Sequence, residues 1–364
     1  MKKKIISICY YGRSGSVFLQ SLFDGHPECI TIPGPYMTGF YYWYKKKIKS
    51  SKNIINSFLE DFNFIFDPEF ISKDYIPFAR YSPGIDNNFH KLGINNDQKL
   101  IINKALFKKN LCNLISDKNV RVDIFFLKIH EAYAKTIGLD WKKIKYIIFQ
   151  LHDVHTNSIS FLNNEFECIL LRVIRNPIKS NLSLVHHKIE YIKRDIPNLL
   201  SFLLDEMNTF DTGLNKFSKE IYIKLEDLHN HPRSLLKKIL NNLNLEWDDV
   251  ILKSTFNNIQ FNNLNGAIKV SGFNQKVISK KFPEYITEFD EKRLIKVFEI
   301  LFLKWQYTNH KQKIHFFHYL KKFKLENNIS FFQIVENRIK MLKIFTKTII
   351  FKNRIPSIIE LNSK

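Results

Sequence analysis

Residues 5–23 read IISICYYGRSGSVFLQSLF, two apolar runs joined by a glycine- and serine-containing loop. Residues 5–10 (IISICY) form a short β-rich run that ends at Gly12, and VFLQSLF (17–23) follows with apolar residues at helical spacing. A strand, a tight loop and a helix in that order open an α/β unit. Downstream, CITI (29–32) predicts a second strand, ended by Pro33-Gly34-Pro35. IKYIIFQL (144–151) and ECILLRVI (167–174) are near-continuous apolar runs, as strands buried on both faces of a parallel sheet require. EIYIKL (220–225) predicts one more strand, and helical stretches at 177–191, 197–216 and 233–243 separate these runs. Strands alternating with helices predict an α/β fold: a three-layer sandwich with a central, mostly parallel sheet flanked by helices.

Between these strands, residues 35–140 read mostly as helices and loops, with apolar periodicity over 100–116 and 120–137. The stretch 256–287 is polar and irregular, long enough for a functional loop. Helical patterning resumes at 289–306 and, very basic, at 311–350. The expected organisation is one α/β domain over residues 1–307, carrying a helical insertion at about 35–140, and a basic helical C-terminal extension over 308–364.

The chain has 364 residues, 45% of them apolar and 14% aromatic, enough for a substantial core; a collagen-like or wholly unstructured chain is excluded. Cys9, Cys29, Cys112 and Cys168 are widely spaced with no CxxC pair, so buried reduced thiols are expected rather than a disulfide framework. With 56 Lys and Arg against 35 Asp and Glu, the formal net charge is +21. Only 10 of those 56 cations are Arg, and Lys at solvated positions accounts for much of the excess. Residues 308–364 hold twelve Lys or Arg against three Asp or Glu, which is +9 of the total. The basic head MKKK meets an apolar run too short for a signal peptide, and no run of some 18 apolar residues marks a membrane span. A cytoplasmic protein is expected.

Two segments carry anion chemistry. Gly12-Arg13-Ser14-Gly15-Ser16 lies between the first strand and the first helix, whose opening turn leaves backbone N–H groups without partners. Glycines allow close approach of the backbone to an oxyanion, the two serines add hydroxyls, and Arg13 adds a fixed charge with a donor fork. The same residues would also serve as an ordinary turn and helix cap. Without GxxxxGK[ST] the loop is not a Walker A motif. The second segment is Arg175-Asn176-Pro177, at the end of the 167–174 strand. Pro177 suits the first helical position and Asn176 its N-cap. Arg175 thereby occupies the carboxyl end of a buried strand, where open α/β sheets bind ligands; a surface salt bridge is the alternative. Ser183 follows within the helix.

Taken together, these motifs resemble the sulfotransferases that use 3′-phosphoadenosine 5′-phosphosulfate (PAPS). In that family a [KR]-S-G-[ST] loop grips the 5′-phosphosulfate, which the resemblance maps onto Gly12, Arg13, Ser14, Gly15, Ser16 and Val17. A strand ending in R-[DN]-P, with Ser eight positions after the Arg, holds the 3′-phosphate, which maps onto Arg175 and Ser183. Lys224-Leu225-Glu226-Asp227-Leu228, through Pro232 to Leu245-Glu246-Trp247, resembles a third family segment. The chain departs from the family at Leu225, where many members place a Tyr near the adenine; VSGFNQK (270–276) is the nearest counterpart of a late basic-glycine loop. The resemblance implies a P-loop-like fold, PAPS as sulfuryl donor without a metal, and an acceptor hydroxyl (an amine as second choice) on a sugar, lipid or small metabolite. It also implies Arg13 as the group neutralising the transferring sulfuryl.

The acceptor hydroxyl needs a base that is neutral near pH 7, which suits His. His152 and His155 end the 144–151 strand; His152, 23 residues before Arg175, matches the family spacing better than His155. As a pair they also resemble two metal ligands, but no third is visible nearby. His130 reads as a core or surface residue, with a place in an acceptor pocket as the alternative. The aromatic run Tyr36–Tyr44 reads as core packing before sugar stacking or lipid cover. The tail alternates Lys with Phe and Ile, which suits an amphipathic helix on an anionic membrane or acidic polymer, or a helix packed on the main domain. The rival readings are a nucleotide-dependent kinase and a non-catalytic polyanion or membrane-surface binder.

Overall fold

A computed structural model describes residues 4–11, 14–34, 36–50, 53–70, 89–115, 120–152, 161–162, 164–180, 219–265, 268–278, 287–308 and 331–351. The chain divides into two units. One comprises Met1–Tyr10, Gly15–Val173 and Leu214–Ile278; the other comprises Tyr11–Ser14, Ile174–Gly213 and Ser279–Lys364.

The first unit is built on a five-stranded sheet, counted among the described residues, in the order β2-β3-β1-β4-β5. Its strands are β1 (Lys4–Tyr10), β2 (Cys29–Thr31), β3 (Tyr146–His152), β4 (Cys168–Ile174) and β5 (Lys219–Lys224). β1 lies parallel between β3 and β4, and β2 is parallel to β3. The apolar runs explain these positions. Every residue of β4 is buried, whereas β5 alternates and takes the edge. Because side chains alternate across a strand, β3 serves two layers. Ile148 joins Ile6, Ile8, Leu171 and Ile223 in a core covered by α1 (Ser16–Phe23) through Phe18, Leu19 and Leu22. Phe149 faces the other way and meets Phe126 edge-on, 5.9 Å between centroids. The expected three-layer α/β sandwich is thereby present.

That other layer holds α2 (Met37–Ser50), α3 (Ile54–Asp61), α4 (Lys104–Leu114) and α5 (Val122–Thr136). The aromatic run on α2 packs as core: Phe40, Trp43 and Tyr44 are buried and interlock with Phe58, Phe62 and Phe125, while Tyr42 is exposed. His130 on α5 is also core. Its Nδ1–H donates to the Phe126 carbonyl at 2.7 Å, which leaves Nε2 to accept from the Tyr36 hydroxyl. Burial then drives its pKa down to about 4.

After β5 come α6 (Leu225–Asn230) and α7 (Pro232–Leu243). The polar stretch that reads as irregular contains two hairpins instead: β6 (Thr255–Phe256) with β7 (Ile259–Gln260), and β8 (Asn262–Asn265) with β9 (Ile268–Ser271). The first turns through Asn257 and Asn258, both at positive φ, which asparagine tolerates. Asp24, at the end of α1, accepts from both their N–H groups and from the Thr255 hydroxyl at 2.7–3.1 Å. Cys9, Cys29 and Cys168 are buried thiols as expected, but Cys112 is exposed on the outer face of α4.

The second unit contains Tyr11 and Ser14, the helical turn from residue 177, α8 (Glu288–Val297), α9 (Glu299–Lys304) and α10 (Phe331–Phe351). Among the described residues no helix is long and apolar enough to cross a membrane.

Candidate anion-binding site

Local geometry first explains the glycine of the loop. Gly15 sits at φ 97°, in the left-handed region, and forms the N-cap of α1 without a side-chain cap bond. A Cβ built on it would lie 2.6 Å from Leu225 Cδ1. Any other residue would therefore be strained twice over. Leu19 N–H bonds the Gly15 carbonyl at 3.1 Å, so the helical ladder begins here and the N–H groups ahead of Leu19, those of Ser16, Val17 and Phe18, lie in the anion-attracting first turn.

The two loop serines are used differently. Ser16 donates to Gln150 Oε1 at 3.1 Å, which turns its proton inward. Gln150 Nε2 donates in turn to Gln20 Oε1, and Gln20 Nε2 donates to Thr31 Oγ1 at 2.7 Å and to the Ile32 carbonyl at 2.9 Å. This wholly buried relay ties the start of α1 to β3 and to the chain after β2. Ser14, by contrast, is buried with its Oγ lacking a hydrogen-bond partner among the described residues. Its N–H bonds back to the Tyr11 carbonyl at 3.2 Å.

Tyr11 holds the second anion segment. Its hydroxyl accepts from Arg175 N–H at 2.7 Å and donates to the Arg175 carbonyl at 2.5 Å. The ring is fully buried and stacks on Trp305, with centroids 5.6 Å apart and 10° between planes. Asn176 caps the following helix as the sequence predicts: its Oδ1 accepts from Ile178 and Lys179 N–H, and Ser180 N–H bonds its carbonyl. Arg175 is buried to 5% exposure. Ser180, three residues into that helix, is buried with its Oγ lacking a partner among the described residues.

The backbone register aligns the strand ends. Tyr10 pairs with His152 on one side and with Val173 on the other. The loop after β1, the end of β3 and the segment after β4 thus issue from the carboxyl ends of three adjacent strands. β1 is also where the strand order reverses, the switch point at which open α/β sheets bind ligands. His152 is the last residue of β3; its side chain, Gly12, Arg13, His155 and Ser183 lie outside what the structure describes. Among the described residues no three His, Cys, Asp or Glu side chains are grouped to hold a metal.

Two further segments of the first unit lie against the start of α1. Leu225 is buried beneath Gly15. The 270–276 loop docks on the first turn of α1: Phe273 meets Phe18 edge-on, and Asn274 N–H donates to Nδ1 of His229, which itself stacks on Phe18 at 4.8 Å. Tyr11, Gln20, Gln150 and Ser180 were not singled out by the sequence. The only signal for the glutamines is a polar residue inside an otherwise apolar pattern.

No protein-family model and no curated protein matches the sequence. Solved structures do resemble it. The sulfotransferase domain of the Synechococcus PCC 7002 olefin synthase is 12% identical, with 82% of this chain and 95% of that one covered and a TM-score of 0.47. The sulfotransferase domain from the curacin biosynthetic pathway is 12% identical, covering 81% and 96%, at 0.43. A sulfotransferase of Mycobacterium avium is 9% identical, covering 86% and 79%, at 0.37.

Proposed function

We propose that this protein transfers the sulfuryl group of PAPS to a hydroxyl of a sugar, lipid or small-molecule acceptor. The observation that carries the reading is the Tyr11 hydroxyl bridging both backbone groups of Arg175, which holds the chain after β1 to the segment after β4. The residues present fit such a donor. Ser14 offers a buried hydroxyl with no partner among the described residues, and the N–H groups of Ser16, Val17 and Phe18 open the first turn of α1.

When bound, the donor supplies an electrophilic sulfur and a phosphate leaving group. The chain's own residues have three tasks. The guanidinium of Arg13 and the N–H groups at the start of α1 hold the negative charge that grows on the leaving phosphate oxygen. Arg175, with Ser183, recognises the 3′-phosphate, for which a buried, always-charged donor fork is suited. His152 takes the proton of the acceptor hydroxyl as the new S–O bond forms and the old one breaks.

A thermal-shift panel tests this reading: 3′,5′-adenosine bisphosphate (PAP), ATP with magnesium, AMP and a DNA duplex, each at two salt concentrations. Stabilisation by PAP above the others is expected. A preference for magnesium-ATP would favour a kinase, and salt-steep binding of every polyanion would favour a non-catalytic binder.

A further inference from the structure

We propose that α10 is an interfacial helix that seats the protein on an anionic lipid bilayer. The helix is 21 residues long and turns different residues inward and outward. One face packs inward, with Met341 and Asn337 buried and α8 as its neighbour. The other faces outward: Phe332 is 85% exposed, Val335 43% and Ile339 51%. At about 100° per residue these three and Leu342 fall within about 80° of arc, a continuous stripe roughly 15 Å long. A core does not need that stripe, because the opposite face already supplies the packing.

Charge decides what covers it. By the same rotation Arg338 lies beyond one edge of the stripe, and Lys343 and Lys340 lie beyond the other, where Glu336 pairs with Lys340 at 2.8 Å. Long cationic side chains at the borders of an apolar stripe can reach lipid headgroups while the stripe enters the acyl boundary. The surrounding chain, residues 308–364, carries +9. A second copy of the chain would bring +9 against +9. An acidic polymer would satisfy the cations but leave an exposed Phe in water. An anionic bilayer satisfies both.

The test uses the full-length protein and sedimentation with vesicles of phosphatidylcholine alone or mixed with phosphatidylglycerol. Binding to the mixed vesicles only is expected. The triple variant F332S/V335S/I339S should bind them about tenfold more weakly or worse, while keeping the PAP-induced thermal shift of the parent protein. In a second variant, Phe332→Trp, emission should move to the blue on vesicles and be quenched by brominated acyl chains. No sedimentation with the mixed vesicles, unchanged binding by the triple variant, or an unshifted tryptophan would overturn the proposal. So would a dimer of the parent protein, seen without lipid, that the triple variant abolishes.

Discussion

Replacing Gly15 by Ala perturbs the loop at a point where the structure gives two separable penalties. The backbone sits at φ 97°, which costs an L-residue about 1–2 kcal/mol. The new Cβ would also stand 2.6, 3.0 and 3.3 Å from Cδ1, Cδ2 and Cγ of Leu225. All three atoms belong to the Leu225 side chain, which is buried, so any shift that clears the Cβ is made inside packed core. Overpacking of that kind costs about 1–3 kcal/mol. Gly15→Ala should therefore destabilise the fold by about 2–5 kcal/mol, the sum of the two ranges. Leu225→Ala alone should cost about 2–5 kcal/mol as a core truncation. The double variant removes the clash but keeps the backbone strain, so it should be more stable than additivity predicts by about 1–3 kcal/mol. Urea unfolding of the four proteins supplies the cycle. Additivity within about 0.5 kcal/mol would refute the packing of Leu225 against the loop glycine.

Three further outcomes follow from the buried polar groups. His130 stays neutral in the fold down to about pH 4, whereas the unfolded chain takes up its proton near 6.5. Stability should then fall as pH drops between those values, by about 3 kcal/mol from this residue; His130→Gln should flatten that limb in pH-dependent urea melts. Gln150→Leu strips the bonds to Ser16 and Gln20 and should cost about 1–3 kcal/mol in thermal or urea unfolding, against a smaller loss for the exposed Gln306→Leu as control. Tyr11→Phe removes the hydroxyl held by both backbone groups of Arg175; calorimetry should find PAP binding about tenfold weaker, and wild-type affinity would deny Tyr11 a positioning role.

The inner strands are legible in the sequence because they are buried on both faces, and IKYIIFQL and ECILLRVI are near-continuous apolar runs. The N-cap at Asn176 is equally local, a side chain bonding N–H groups two and three residues on. What escapes local reading is pairing across distance. Tyr11 and Arg175 meet over 164 positions, and Ser16 and Gln150 over 134. Neither partner's neighbours announce the other. The hairpins of 255–271 are hidden for a different reason: their strands are polar and two to four residues long, and the turn at Asn257-Asn258 lacks the glycine that usually marks one. Cys112 is exposed because α4 turns only Phe107 and Leu111 inward.

Isothermal titration of Arg175→Ala with two ligands tests the proposed recognition of a 3′-phosphate by Arg175. PAP carries that phosphate and adenosine 5′-phosphosulfate does not. The affinity of the variant for PAP should fall about a hundredfold, as for removing a charge-assisted, buried donor pair, with the affinity for adenosine 5′-phosphosulfate nearly unchanged. Equal losses for the two ligands would contradict it.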